Sequence, residues 1–135
     1  MVRIDITYRG GLRCEAVHGP SGQTLITDAP ADNHGKGESF SPTDLVATSL
    51  GTCLATIMGI VAAGEKIDLT GMRISVEKEM AADPPRRIRR LAARVRVPCS
   101  LDDRQKAKLE SAARLCPVHQ TLHHNVEMPI EFMYP

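Results

Sequence analysis

The sequence predicts an α+β fold in which antiparallel sheets surround one long, buried central helix. Three observations carry that expectation. Residues 45–64, LVATSLGTCLATIMGIVAAG, carry no charge from end to end. Segments on either side alternate with the period of two that marks half-buried strands. Clusters of turn-forming residues separate those segments at hairpin spacing. The 135 residues suit a single domain, 1–135, large enough to own a core.

Residues 2–8 alternate as a first strand, Arg9-Gly10-Gly11 turns the chain, and residues 12–17 return as a second strand. A turn over 18–22 leads to a third strand over 23–27. Residues 28–38 are polar and rich in turn formers. They read as a surface loop, but they deliver the chain to the central helix, where loops often line sites.

The helix has a clear start. Ser41 is placed to cap it, Pro42 suits the first helical position, and Asp44 complements the positive end of the dipole. Gly64 is the expected C-cap, with Lys66 just beyond. Ala47, Gly51, Ala55 and Gly59 fall four apart, a stripe along which another backbone can approach closely. Val46, Leu50, Ile57 and Ile60 form a larger apolar surface that includes Cys53. The length meets the criterion for a membrane span. Thr48, Ser49, Thr52 and Thr56 dilute it, however, and neither a basic cluster nor an aromatic belt flanks it. A helix buried inside a soluble protein is the better reading.

After the helix, residues 72–80 and 88–97 alternate as two strands joined by a turn at Asp83-Pro84-Pro85. The arginines of the second strand suggest a nucleic-acid patch, but Glu77 and Glu79 can sit across from some of them, and no aromatics are interleaved. A second helix starts at Ser100-Leu101-Asp102-Asp103 and runs to about Leu115. Pro117 ends it, because proline disfavours the α conformation at Cys116, and a short new helix can open there. Residues 126–132 close the chain as a strand that Pro129 confines to an edge.

A net charge of +1 argues against a nucleic-acid arm or a membrane-surface patch. No Trp, two Phe and two Tyr exclude a stacking platform for single strands. The first residues lack the apolar segment of a secretory signal, so a cytoplasmic location and reduced cysteines are expected. Cys14, Cys53, Cys99 and Cys116 show no CxxC spacing. Cys53 is either a packing residue or half of a redox pair. Cys116, if it caps the helix opened by Pro117, lies near unpaired N–H groups that favour thiolate. Cys14 and Cys99 read as bystanders. Cys116, His119 and His123 share one helical face, yet a zinc site wants a further ligand, so neither metal nor cofactor is expected.

The run SFSPTDLVATSLGTCLATIMGIVA, followed beyond a two-stranded ribbon by ARLCPVHQTL, resembles the OsmC/Ohr family of osmotically inducible and organic hydroperoxide resistance proteins. The resemblance covers nearly the whole chain, and the two cysteine contexts are its specific part. It implies an intertwined homodimer with the cysteine helices packed together between sheets. It also implies that Cys53 attacks the O–O bond of an organic hydroperoxide as a peroxidatic thiolate. The sulfenic acid would then condense with Cys116, and a lipoyl-type dithiol would reduce the disulfide. Peroxidases of the family keep the thiolate ionised with an arginine, held by a glutamate directly after the helix-leading proline. Here that position is Thr43 and the carboxylate follows as Asp44, about 100° further round the helix. The expected cation is Arg13, oriented by Asp44, with Arg9 and Lys36 as alternatives and Glu38 as another partner. The competing reading is a non-catalytic small-molecule or metal-binding protein on the same fold. Neither nucleic acid nor membrane is an expected partner.

Overall fold

The computed structural model describes all 135 residues. The elements in order are β1 (Ile4–Gly10), β2 (Arg13–His18), β3 (Thr24–Thr27), a single 3-10 turn (Ala31–Asn33) and α1 (Pro42–Gly64). They continue with β4 (Arg73–Met80), β5 (Ile88–Arg96), α2 (Asp103–Arg114), α3 (Pro117–Leu122) and β6 (Ile130–Met133). Two compact units contain them, Met1–Val46 and Ala47–Pro135.

The first unit holds an antiparallel meander in the order β1-β2-β3. Gly11 and Leu12 form the two-residue turn between β1 and β2, with φ of 60° and 64°. Positive φ at both central residues matches the twist of paired strands, although Leu12 pays steric strain for it. Much of the sheet's apolar surface is open: Ile6 and Tyr8 are each 63% exposed. The loop after β3 is closed by its own backbone. Asp28 N–H donates to Phe40 O at 3.1 Å, Gly35 N–H to Pro30 O at 3.0 Å and Gly37 N–H to Ala29 O at 3.2 Å. Gly35 is required there, since a Cβ would lie 1.7 Å from Ala29 O.

Ser41 caps α1 as the sequence predicts. Its Oγ accepts from Asp44 N–H at 3.1 Å, while Asp44 Oδ2 accepts from Ser41 N–H at 2.8 Å, a reciprocal capping box. The helix end differs from expectation. Gly64 is the last helical residue, and the left-handed position belongs to Lys66, with φ 56°. Ile67 N–H donates to Ala62 O at 2.8 Å and Lys66 N–H to Ala63 O at 3.2 Å, a Schellman closure. Glu65 at the cap binds Arg104 at 2.8 Å and also Lys108, which ties α1 to α2.

The second unit contains a three-stranded sheet in the order β4-β5-β6. β4 and β5 are antiparallel, but β6 runs parallel to β5, against the expectation of wholly antiparallel sheets. The chain passes through α2 and α3 between them, and a crossover of that length returns a strand in the parallel sense. β6 lies at the sheet edge, with Pro129 just before it. Asp102 caps α2 in a capping box with Gln105. The core is Leu50, Leu54, Met58 and Ala62 of α1, Leu91, Ala93 and Val95 of β5 with Val97 after it, and Leu109 and Ala113 of α2.

Within one chain α1 is buried along a single stripe rather than all round. Thr48, Ser49, Thr52 and Thr56 are exposed, and Ile60 is 64% exposed. Thr52 and Thr56 turn their hydroxyls back onto the carbonyls of Thr48 and Thr52, each at 2.8 Å. The helix is long and apolar enough to cross a membrane by length and composition alone. Within the chain the small-residue stripe is not one contact surface. A Cβ on Gly51 would lie 3.2 Å from Val76 Cγ2 of β4, whereas one on Gly59 would meet nothing within 4 Å. Some of the arginines of β5 have carboxylates, as expected: Arg89 pairs with Glu79 at 2.7 Å, and Arg94 with Glu77 at 3.0 Å and Glu131 at 3.2 Å.

Two stability predictions follow from these contacts. Gly51→Leu overpacks the α1–β4 contact and should cost about 1–3 kcal/mol in the chain itself, read as a lower denaturant midpoint; an unchanged midpoint contradicts the contact. Glu65→Gln probes the tie to α2. Lys108 and then Arg104 lower the Glu65 pKa to about 2 from an ordinary 4.5. A depressed carboxylate stabilises the fold above its unfolded pKa and loses that contribution as pH falls through the folded value. The melting-temperature gap between wild type and Glu65→Gln should therefore be flat above about pH 5 and close towards about pH 2.

Candidate functional site

Cys53 sits halfway along α1 and is half-buried. Cys116 is fully buried in the core. The sequence fixes Cys116 locally. α2 ends at Arg114, and Pro117 holds Cys116 in an extended conformation, φ −60° and ψ 142°. Pro117 then supplies the first residue of α3, and Cys116 becomes its N-cap, with Sγ accepting from His119 N–H at 3.3 Å. In this position the Cys116 thiol is near enough to Cys53 for Cys53 to affect its ionisation. Both are free thiols.

The electrostatics of Cys116 reverse one expectation. The cap was expected to favour thiolate. Burial instead dominates and pushes the Cys116 pKa up, outweighing the lowering by His119 N–H, and the adjacent Cys53 pushes it further. Cys116 is thus kept as a thiol. Cys14 lies in β2, and Cys99 donates weakly to Asp68 O at 3.7 Å.

The histidines do not converge with Cys116 on a point. His119 and His123 stack with centroids 6.1 Å apart, and no group of three or more His, Cys, Asp or Glu is arranged to hold a metal. The Nδ1 of His119 is buried without a partner, and burial, followed by the charges of His123 and Arg114, lowers its pKa.

In the N-terminal unit, Arg13 is gripped by two carboxylates, Glu38 and Asp28, the latter at 3.5 Å. Asp44 is not one of them; its carboxylate accepts the Ser41 N–H in the helix cap. A carboxylate three residues after an N-cap serine is drawn to that backbone donor, and the sequence spacing S-x-x-D already encodes it. Asp28 is the residue that sequence reasoning missed. It is 1% exposed, accepts Glu38 N–H at 3.1 Å, and is held below the ordinary carboxylate range chiefly by that bond, with Arg13 adding to it. Its composition context, a polar loop, gave no sign of burial. Arg9 pairs with Glu15, and Lys36 lies exposed on the loop.

The α+β frame thus carries a free thiol on its long helix, Cys53, and a second at a proline-led helix cap, Cys116. The chain belongs to the OsmC-like family: the family model for OsmC-like proteins matches residues 35–131. It is 42% identical to a Psychrobacter arcticus protein named for osmotic stress induction and detoxification response, over 98% of this chain and 96% of that one, with a TM-score of 0.93. An organic hydroperoxide resistance protein OsmC from Legionella pneumophila shares the fold at 19% identity and a TM-score of 0.78, covering 98% and 96% of the two chains. The organic hydroperoxide resistance protein OhrB of Bacillus subtilis does so at 19% identity and a TM-score of 0.69, covering 98% of each. A comparison with functionally curated proteins gives no match. Proteins of this family are soluble, so α1 is the central helix of a soluble fold rather than a membrane span.

The buried, protonated state of Cys116 predicts its reactivity. A raised pKa keeps the thiol protonated to higher pH, so its rate of alkylation should still be climbing above about pH 8.5, the ordinary thiol range. At pH 7, iodoacetamide should modify Cys116 at least about tenfold more slowly in the folded chain than in the unfolded one. Peptide mapping by mass spectrometry reads both, and equal rates contradict the assignment.

Proposed function

We propose that the protein is a thiol-dependent peroxidase of organic hydroperoxides, acting in the cytoplasm as a homodimer. The observation that carries the reading is the pair of free thiols, Cys53 on α1 and the buried Cys116, near enough for Cys53 to help push the Cys116 pKa up. Cys53 attacks the distal peroxide oxygen as thiolate; the O–O bond breaks, Cys53 becomes the sulfenic acid, and the alkoxide takes a proton and leaves as alcohol. Cys116 then attacks the sulfenic sulfur, its own proton leaves with the hydroxyl as water, and a Cys53–Cys116 disulfide forms. A dithiol, of the lipoyl type the family implies, reduces it by two exchange steps and leaves as a cyclic disulfide. Both cysteines return as thiols.

The first step needs a cation, since a thiolate in apolar surroundings is costly. The reading assigns that role to Arg13. Glu38 and Asp28, the carboxylates that hold its guanidinium, take the orienting part expected of Asp44. The names of the hydroperoxide resistance relatives support a peroxide-related redox role. The exposed apolar side chains of β1, with Phe40 at 55% and Ile60 at 64%, support burial by a second copy, since patches of this kind mark interaction surfaces.

The test is thiol counting with intact mass after one equivalent of cumene hydroperoxide. Two thiols per chain should disappear, and peptide mapping should join Cys53 to Cys116. Cys116→Ser should stop at a sulfenic acid trapped by dimedone. Arg13→Ala should slow peroxide reduction at least about tenfold, the equivalent of one pKa unit. No thiol loss, or slow scattered oxidation, would put a binding role in place of the enzyme.

A further inference from the structure

The β4–β5–β6 sheet has a second face. Gly51 of α1 packs against Val76 and Ile74, so the alternating side chains of Arg73 and Ser75 point away from that helix. On this far face Arg73 stands directly opposite Arg96, and Arg96 in turn stands opposite Met133. The next row contrasts with it: Ser75, Arg94 and Glu131 lie side by side, and Arg94 is neutralised by Glu131 and Glu77. Arg87, Arg89 and Arg90 likewise have Asp83, Glu79 and Glu127. Arg73 and Arg96 have no carboxylate. Like charges opposed across strands destabilise a sheet, so this pair costs stability unless an anion offsets it.

The two arginines line a groove of about 490 Å³ whose other walls include Val97, Pro98, Met133 and Pro135. That volume falls within the range of small-molecule sites. Two guanidinium groups offer forked donors suited to an oxyanion. The rest of the lining mixes polar and apolar surface in about equal parts, the apolar side chains being Val97, Pro98, Met133 and Pro135 beside Gly71 and Tyr134. We propose that this groove binds a small organic oxyanion, an alkyl phosphate or alkyl carboxylate, with its head between Arg73 and Arg96 and its tail along Pro98, Met133 and Pro135. The site is separate from the thiol pair and stands whether or not the peroxidase reading holds.

Isothermal titration of the full-length protein with hexyl phosphate and hexanoate tests it, with inorganic phosphate and hexanol as the head and the tail alone. At low ionic strength at least one of the two amphiphiles should bind with a Kd below about 1 mM, and which binds tighter identifies the head group. Both isolated parts should bind at least about tenfold more weakly. Arg73→Gln and Arg96→Gln should each weaken the amphiphile at least about tenfold, the loss expected of a hydrogen bond to a charged group. The same substitutions should raise the melting temperature of the ligand-free protein by about 1–4 °C by removing the like-charge pair. Binding that survives both substitutions overturns the proposal. So does the absence of binding by both amphiphiles at 10 mM, or binding of inorganic phosphate as tight as hexyl phosphate.

Discussion

Burial of one stripe of α1 is the constraint on which the second unit depends. Leu50, Leu54 and Met58 are fully buried, and each such side chain contributes about 1.5–3 kcal/mol by leaving water. The ion pairs of the β5 arginines are exposed and worth about 0–1 kcal/mol each. The stripe therefore sets the rotation of the helix, and the arginine ladder does not. Once that rotation is fixed, Gly51 faces β4, where a Cβ would lie a tight 3.2 Å from Val76 Cγ2. Cys53, beside the buried Leu54, is then held at the edge of the core rather than free to turn into solvent.

Much of this was readable in the chain because the signals are local. Ser41 and Pro42 start α1, Pro117 breaks α2 and makes Cys116 a cap, and the carboxylates on β4 meet the arginines of β5, all as the spacing implies. The features that were not readable depend on non-local packing. β6 runs parallel because of where α2 and α3 return the chain, and nothing in four strand residues encodes direction. Lys66 takes the left-handed position because the core stripe extends to Ala62 and the closure falls five residues later, past the glycine. Asp28 has no periodic or motif signal; it is buried because the loop folds back and Glu38 N–H meets its carboxylate.

The two carboxylate surprises share a cause. Short acidic side chains next to unpaired backbone N–H groups are captured by them before they reach a distant guanidinium. Asp44 follows that rule at the start of α1, where its carboxylate accepts the Ser41 N–H. Asp28 follows it too, at Glu38 N–H, but its captured position also brings it within 3.5 Å of Arg13. A guanidinium gripped by Glu38 and Asp28 together is more firmly oriented than one reached by a single flexible side chain.

The balance at Cys116 shows why a helix cap does not by itself make a thiolate. The His119 N–H donates to its sulfur, which lowers the pKa, but complete burial removes the water that would solvate the charge, and burial wins. For the proposed cycle this is the useful outcome. A resolving thiol that ionised early would place two negative sulfurs side by side, and their repulsion would oppose the ionisation of the attacking one. A protonated Cys116 avoids that conflict, and it carries the proton that must leave with the sulfenic hydroxyl as water. In the proposed cycle the core that buries Cys116 would support the chemistry through protonation as well as position, keeping the second thiol neutral until the first is oxidised.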